Sequence, residues 1–262
     1  MMAELARMTW PEAREALGQA RVAIIPVGSC EQHGPHMTLD TDLAVAEAFA
    51  RRLSADLGEL AALCPPVPYG LSEHHLSFPG TLTLRPGTFL SLLADLIESL
   101  ARWNLKRVIV VNGHGGNVDA IRLAARTARR DHGVLVSGLM WAQLAAEESA
   151  AHASGNSYGH ACEIETSVAM VLAPSSVNPE LVRPPGGRLS VGPLTDPPAP
   201  KADRPTWFEE WTEDGALGDP TQATKETGAA VVEAAYRRAL TFARDFANES
   251  LPGEENERGP ND

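Results

Sequence analysis

Apolar positions in this chain follow two patterns. Short unbroken apolar runs, above all Val22–Val27 and the "RVIVV" of Arg107–Val111, have the length and β-branched content of strands buried on both faces. Between them, apolar residues recur at helical spacing. "TDLAVAEAFARRLSADL" predicts a helix with Thr41 as its N-cap, and further helices are predicted over about Thr88–Trp103 and Val118–Arg130. Thr9 caps a short helix reaching about Leu17, and "TGAAVVEAAYRRALTFARDF" forms a closing amphipathic helix. "ALCPPV" and "GVLVSGLM" add two strand-like runs. Strands separated by helices of ten or more residues predict βαβ units, hence an α/β fold with a largely parallel sheet and helices on both faces. Seven prolines between Arg183 and Pro205 predict a wandering surface loop. The sequence shows no internal repeat.

This architecture places the polar residues. In open α/β sheets a ligand site lies beyond the carboxyl ends of the strands. Val22–Val27 runs directly into "GSCEQHGPHMTLDTD" and Arg107–Val111 into "NGHGGN", so Glu31, His33, Asp42 and His114 are expected at one edge of the sheet. Glu31 and His33, two apart in extended chain, point to the same side. Carboxylate and imidazole without thiolate suit zinc, manganese or iron. An aspartate shared by two such ions would set them about 3.5–4 Å apart. His36 and Asp40, in the same loop, are read as structural or supporting. A third cluster, "GHACEIETSVAM", brings His160, Glu163 and Glu165 to the start of a helix. Acids in a first turn are common for the helix dipole alone, whereas His160 follows a Gly/Ser loop with no apolar group to pack on.

Composition narrows the function. At 262 residues the chain is read as one elaborated domain over 1–249 with a disordered acidic tail at 250–262. A net charge of −12 with no Lys/Arg cluster argues against nucleic acid and favours a neutral or cationic substrate over a phosphorylated one. No stretch approaches 18 apolar residues and "MMAELARMTW" lacks a signal-peptide core, so a cytoplasmic protein without membrane attachment is expected. Cys30, Cys64 and Cys162 lack paired spacing and fit reduced thiols.

"GSCEQHGPHMTLDTD", "YGLSEHHLSFPGT", "VNGHGGN", "HACEIETS" and "GDPTQATKETG" together resemble, in order and spacing, the creatininase (creatinine amidohydrolase) family over roughly residues 8–245. The resemblance implies a three-layer α/β/α fold, two divalent metal ions per chain (zinc, manganese or iron), commonly a hexamer, and hydrolysis of a C–N amide bond in a small polar substrate by a metal-bridging hydroxide. By that resemblance Glu31, His33, Asp42 and His114 fall on metal ligands, with Asp42 bridging, and His160 on the catalytic histidine, the proton donor to the leaving nitrogen. Creatininase itself reads NGH-x-E-N, its glutamate a ligand, where this chain has Gly116. Family members with glycine there carry a glutamate in the position of Glu163, which makes Glu163 the expected fifth ligand and Glu165 a residue supporting the ligands. Ser72 and His75 are expected to wall the pocket and touch substrate. The family also includes a deformylase, cyclitol or aminoglycoside hydrolases and a mycofactocin-precursor peptidase. A maturation peptidase of that last type and a non-catalytic metal-binding protein are the alternative readings.

Overall fold

The computed structural model describes residues 3–154, 159–186 and 205–251. Most of the Pro-rich segment and nearly all of the expected tail lie outside these residues.

Five parallel strands form one sheet: β1 (Ala3–Glu4), β2 (Val22–Val27), β3 (Ala61–Leu63), β4 (Arg107–Asn112) and β5 (Leu135–Leu139), in the order β1-β3-β2-β4-β5. The central pair β2 and β4 runs in register from Ala23 opposite Val108 to Val27 opposite Asn112. Its residues alternate between two cores. Ile24 and Ile109 join the cluster beneath α2 (Thr41–Leu57), α7 (Glu163–Leu172) and α9 (Lys225–Phe246). Ile25 and Val110 join the cluster beneath α3 (Pro86–Arg102) and α4 (Val118–His132). Burial on both faces is why these strands read as unbroken apolar runs. The layers are helix, sheet, helix, as expected.

Shorter helices complete the chain: α1 (Trp10–Gln19), α5 (Trp141–Leu144), α6 (Ala146–His152) and α8 (Phe208–Trp211). Among the described residues, no helix is long and apolar enough to cross a membrane. "ALCPPV" yields only a three-residue strand because Pro65 and Pro66 end the ladder. Val67 then bridges back to Val27. Thr41 is the first residue of α2 and Asp40 its cap, one residue earlier than expected. Asp42 therefore sits in the first turn, where the helix dipole favours a carboxylate.

Candidate metal centre

The two central strands deliver their polar ends side by side. Gly113 N–H donates to the Val27 carbonyl at 2.9 Å, which ties the exits of β4 and β2 together. Both exits begin with glycine because α2 presses against them. A Cβ on Gly113 would lie 2.1 Å from the Asp42 carbonyl oxygen, and one on Gly28 would lie 2.4 Å from Leu43 Cα. The missing side chains let the start of α2 reach the sheet edge and bring Asp42 between the strand ends. Buried Asn117 fixes the surrounding loops: Oδ1 accepts from Leu71 N–H at 2.9 Å, and Nδ2 donates to the Gly28 carbonyl at 3.0 Å.

Glu31, Asp42 and His114 form one group of converging donors. His114 Nδ1 lies 3.2 Å from Glu31 Oε1 and 3.1 Å from Asp42 Oδ2. Its Nε2–H donates to the Leu71 carbonyl at 2.9 Å, which leaves Nδ1 facing the acids, as an N–H donor to them when the ring is protonated and as a lone pair for a cation when it is neutral. A second group joins His33, His160 and Glu165. Here His33 Nδ1–H donates to the Glu31 carbonyl at 3.2 Å, so Nε2 faces Asp42 Oδ1 at 3.1 Å and Glu165 Oε1 at 4.0 Å. Asp42 thus turns one oxygen to each group, while Ser29 Oγ donates to its Oδ2 at 2.6 Å. Glu31 Oε2 is buried with no hydrogen-bond partner. An orphaned carboxylate oxygen beside imidazoles that can give up a proton fits a cation.

Electrostatics point the same way. Burial disfavours charge on His33, yet the Asp42, Glu165 and Glu31 carboxylates together outweigh it and lift the imidazole to about 10. Burial likewise opposes charge on His114, and Glu31 and Asp42 together overcome it to raise that imidazole well above its usual range. Burial and the Asp42 charge push Glu31 up, but His114 and His75 together prevail and hold it at about 2. With only the protein's own groups present, protonated imidazoles balance the acids.

Glu163 and Ser72 depart from the sequence expectation. Glu163 opens α7 but turns away from the donors: its Oε2 accepts from Ser154 N–H at 2.8 Å and Ser154 Oγ–H at 2.6 Å. The carboxylate that reaches the cluster is Glu165. From the third position of α7 it accepts the Ala161 N–H at 2.6 Å and lies 3.7 Å from His160 Nδ1. Ala161 adopts a left-handed φ of +51°, a conformation costly to any residue with a Cβ. That kink between His160 and the helix reverses which glutamate faces inward. Ser72 is fully buried and lines no part of the pocket. His75 does line it, but both its nitrogens are engaged: Nδ1 accepts from Gln32 Nε2–H at 2.8 Å and Nε2 faces Glu31 Oε1 at 3.3 Å. It orients Glu31. His36, read as structural, lies against Thr166 Oγ1 at 2.9 Å, and the described contacts of Asp40 stay within its own loop.

The donors open into a cavity of about 470 Å³, walled by His74, Trp141, Phe208 and Trp211. Sequence reading missed all four. Phe208 stacks on His75 (3.8 Å, 28°) and meets His160 edge-on (4.9 Å, 75°), closing one side of the histidine cluster.

The site invites comparison with known proteins. The family model for creatininase (creatinine amidohydrolase) matches residues 6–243. A mycofactocin precursor peptide peptidase from Mycolicibacterium smegmatis is 35% identical over 224 residues, covering 82% of this chain and 81% of that protein. Among solved structures, a creatinine amidohydrolase superposes with TM-score 0.78 at 25% identity, covering 95% of this chain and 99% of the other. A creatininase variant in its Zn–Zn form gives 0.73 at 27%, covering 92% and 96%. The chain belongs to the creatininase family. It is accordingly a metal-binding hydrolase of the amide-cleaving class.

The electrostatics give a first prediction. Ligation needs neutral imidazoles, and the raised His33 and His114 are protonated at pH 7 without metal. Burial raises the Glu165 carboxyl to about 7, so it too is partly protonated, and loading zinc or manganese at pH 7 is expected to release between two and three protons, one per imidazole and a fraction from Glu165, with apparent affinity falling as pH drops. Calorimetry in buffers of different ionisation enthalpy measures this. Loading without proton release would contradict the lone-pair assignments.

Proposed function

We propose that this protein hydrolyses a C–N amide bond in a neutral, polar substrate, with two divalent ions held by the strand-end donors. The observation that carries the reading is Asp42, whose two oxygens face two separate donor groups. Glu31 and His114 join Asp42 in one group; His33, which meets the other Asp42 oxygen, converges with Glu165 and His160 in the second. Bound there, the ions would supply Lewis acidity, polarising a carbonyl and lowering the pKa of water toward neutrality. The zinc–zinc relative supports zinc as one occupant.

His160 moves the proton. Its Nε2–H donates to the Gln32 carbonyl at 2.7 Å, which fixes the ring and leaves Nδ1 facing the cavity as a lone pair. Burial holds this imidazole down at about 3, so it starts neutral. Nδ1 takes a proton from the attacking water and passes it to the leaving nitrogen. His75 and Gln32 hold Glu31 in place. Phe208 and the aromatic wall limit water around the histidines. No Lys or Arg among the described residues lines the cavity, which supports a neutral rather than a phosphorylated substrate.

A second reading narrows the substrate to the end of a short peptide, as in the named activity of the mycobacterial relative, and its support is that relative's coverage of 82% of this chain. Assembly as a hexamer and a cytoplasmic location rest on the family resemblance and on composition.

The test pairs metal analysis with kinetics on a panel of formamides, cyclic amides and short peptides. His160→Ala is expected to keep its metal and lose roughly 100- to 10,000-fold in rate. Loss of metal together with activity would move His160 into the ligand set, beside His33 and Glu165. A metal-loaded wild type inert on every amide would overturn the proposal.

A further inference from the structure

Among the described residues, the converging donor groups contain four histidines, and the protein holds one ring nitrogen of each. The group behind the ring decides what its front can do. Behind His33, His114 and His160 stand backbone carbonyls: those of Glu31 at 3.2 Å, Leu71 at 2.9 Å and Gln32 at 2.7 Å. A carbonyl only accepts, so the rear nitrogen carries a proton, and in the neutral ring the front nitrogen is a lone pair that a cation can take. Behind His75 stands a side-chain amide instead, with Gln32 Nε2 at 2.8 Å from His75 Nδ1.

The other contacts of that amide fix which way it points. Gln32 Oε1 accepts from Gly34 N–H at 2.8 Å, and Nε2–H donates to the Gly215 carbonyl at 3.1 Å. Both partners are backbone groups that cannot exchange roles. A flipped amide would set N–H against N–H and oxygen against oxygen in a buried place. The second hydrogen on Nε2 therefore goes to His75, whose Nδ1 accepts it. His75 is then neutral and carries its proton on Nε2, the atom that faces Glu31 Oε1 at 3.3 Å. Its front is a donor where the other three rings offer a lone pair.

Glu31, His75 and His160 converge as a third group of metal-type donors, beside the two already described. We propose that Gln32, by fixing the His75 tautomer, keeps this third group closed to metal, so that the centre takes two ions and His160 stays free to move protons. The proposal rests on the two-ion reading above and deepens it. A protonated Nε2 has no lone pair to give a cation. Without His75, the third group offers Glu31 and His160 alone, fewer than the three protein ligands that catalytic zinc sites usually keep. Gln32 is thus a positioning residue that acts through His75, and the turn at Gly215 sets it in place. Gly215 has a φ of +90°, and a Cβ there would lie 1.9 Å from Gln32 Oε1.

Gln32→Glu and Gln32→Met test this. A carboxylate still accepts from Gly34 N–H but must accept from His75 Nδ1 as well, which moves the ring proton to Nδ1 and frees Nε2 as a lone pair. Methionine fills the space and offers no donor. Two readouts are independent of hydrolysis: the ring-nitrogen chemical shifts of isotope-labelled histidine, assigned against His75→Phe, and zinc stoichiometry in competition with a chelator. Wild type is expected to show His75 protonated on Nε2 and to bind two zinc ions. Gln32→Glu is expected to show the Nδ1–H form and a third zinc ion, with hydrolysis falling about 100-fold or more as that ion captures His160. Gln32→Met is expected to keep two ions and show both tautomers; should Gln32→Glu fold poorly beside the Gly215 carbonyl, Gln32→Met carries the tautomer test. An Nδ1–H His75 or a third zinc ion in wild type, or an unchanged His75 tautomer in both variants, would overturn the proposal. One zinc ion in wild type and one more in Gln32→Glu would sink the two-ion reading and leave the lock standing.

Discussion

Asp42→Ala is expected to lose at least one metal ion and to weaken retention of the other by well over the 10- to 100-fold typical of a residue that merely orients a ligand. The reason is position. Asp42 offers Oδ1 to His33 and Oδ2 to His114, so its removal strips a donor from both groups at once. It also leaves Ser29 Oγ–H and two buried imidazoles without their acid. Breaking a buried charged pair costs about 3–5 kcal/mol, so the metal-free variant should also melt earlier. Elemental analysis after dialysis, with thermal melts of the metal-free forms, reads both effects. Full metal occupancy in Asp42→Ala would remove Asp42 from its central place.

Glu165→Gln is expected to lose the ion on the His33 side and to keep the one held by Glu31 and His114. Gln preserves size and an acceptor for the Ala161 N–H, so the loss isolates the charge. Glu163→Gln is expected to retain both ions. Its carboxylate serves Ser154, and weakening two charge-assisted hydrogen bonds costs about 1–3 kcal/mol of stability. The pair of variants separates the two glutamates by metal content alone. The reverse pattern, with metal lost in Glu163→Gln only, would restore the assignment drawn from sequence spacing.

The difference between these glutamates shows what the sequence carries and what it does not. β2 and β4 were legible because strands buried on both faces leave unbroken apolar runs, and their polar exits follow from chain direction alone. Glu31, His33, Asp42 and His114 were found in this way and lie together. Glu163 and Glu165 are two residues apart in a first helical turn, and their facing depends on the left-handed kink at Ala161. No periodicity encodes that. The same holds for the pocket wall. Ser72, His74 and His75 run through a short 3-10 turn, where a shift of one residue turns a side chain by about a third of a turn. Ser72 was chosen, and His74 lines the cavity. Phe208 and Trp211 sit on a four-residue helix just beyond the Pro-rich stretch, too short to show a helical pattern. Gly116 was noticed as a departure from creatininase, but only the structure shows that a Cβ there would press on His114 Nε2 and the Leu71 carbonyl.

The central claim is that strand-end donors hold two ions, with Asp42 between them and Glu165 completing the second. Anomalous diffraction from crystals of the zinc-loaded protein, collected on both sides of the zinc edge, tests it most directly. The account predicts two peaks, one bounded by Glu31, Asp42 and His114 and the other by His33, Asp42 and Glu165. A single peak, or a second ion ligated by Glu163 with Glu165 turned away, would contradict it.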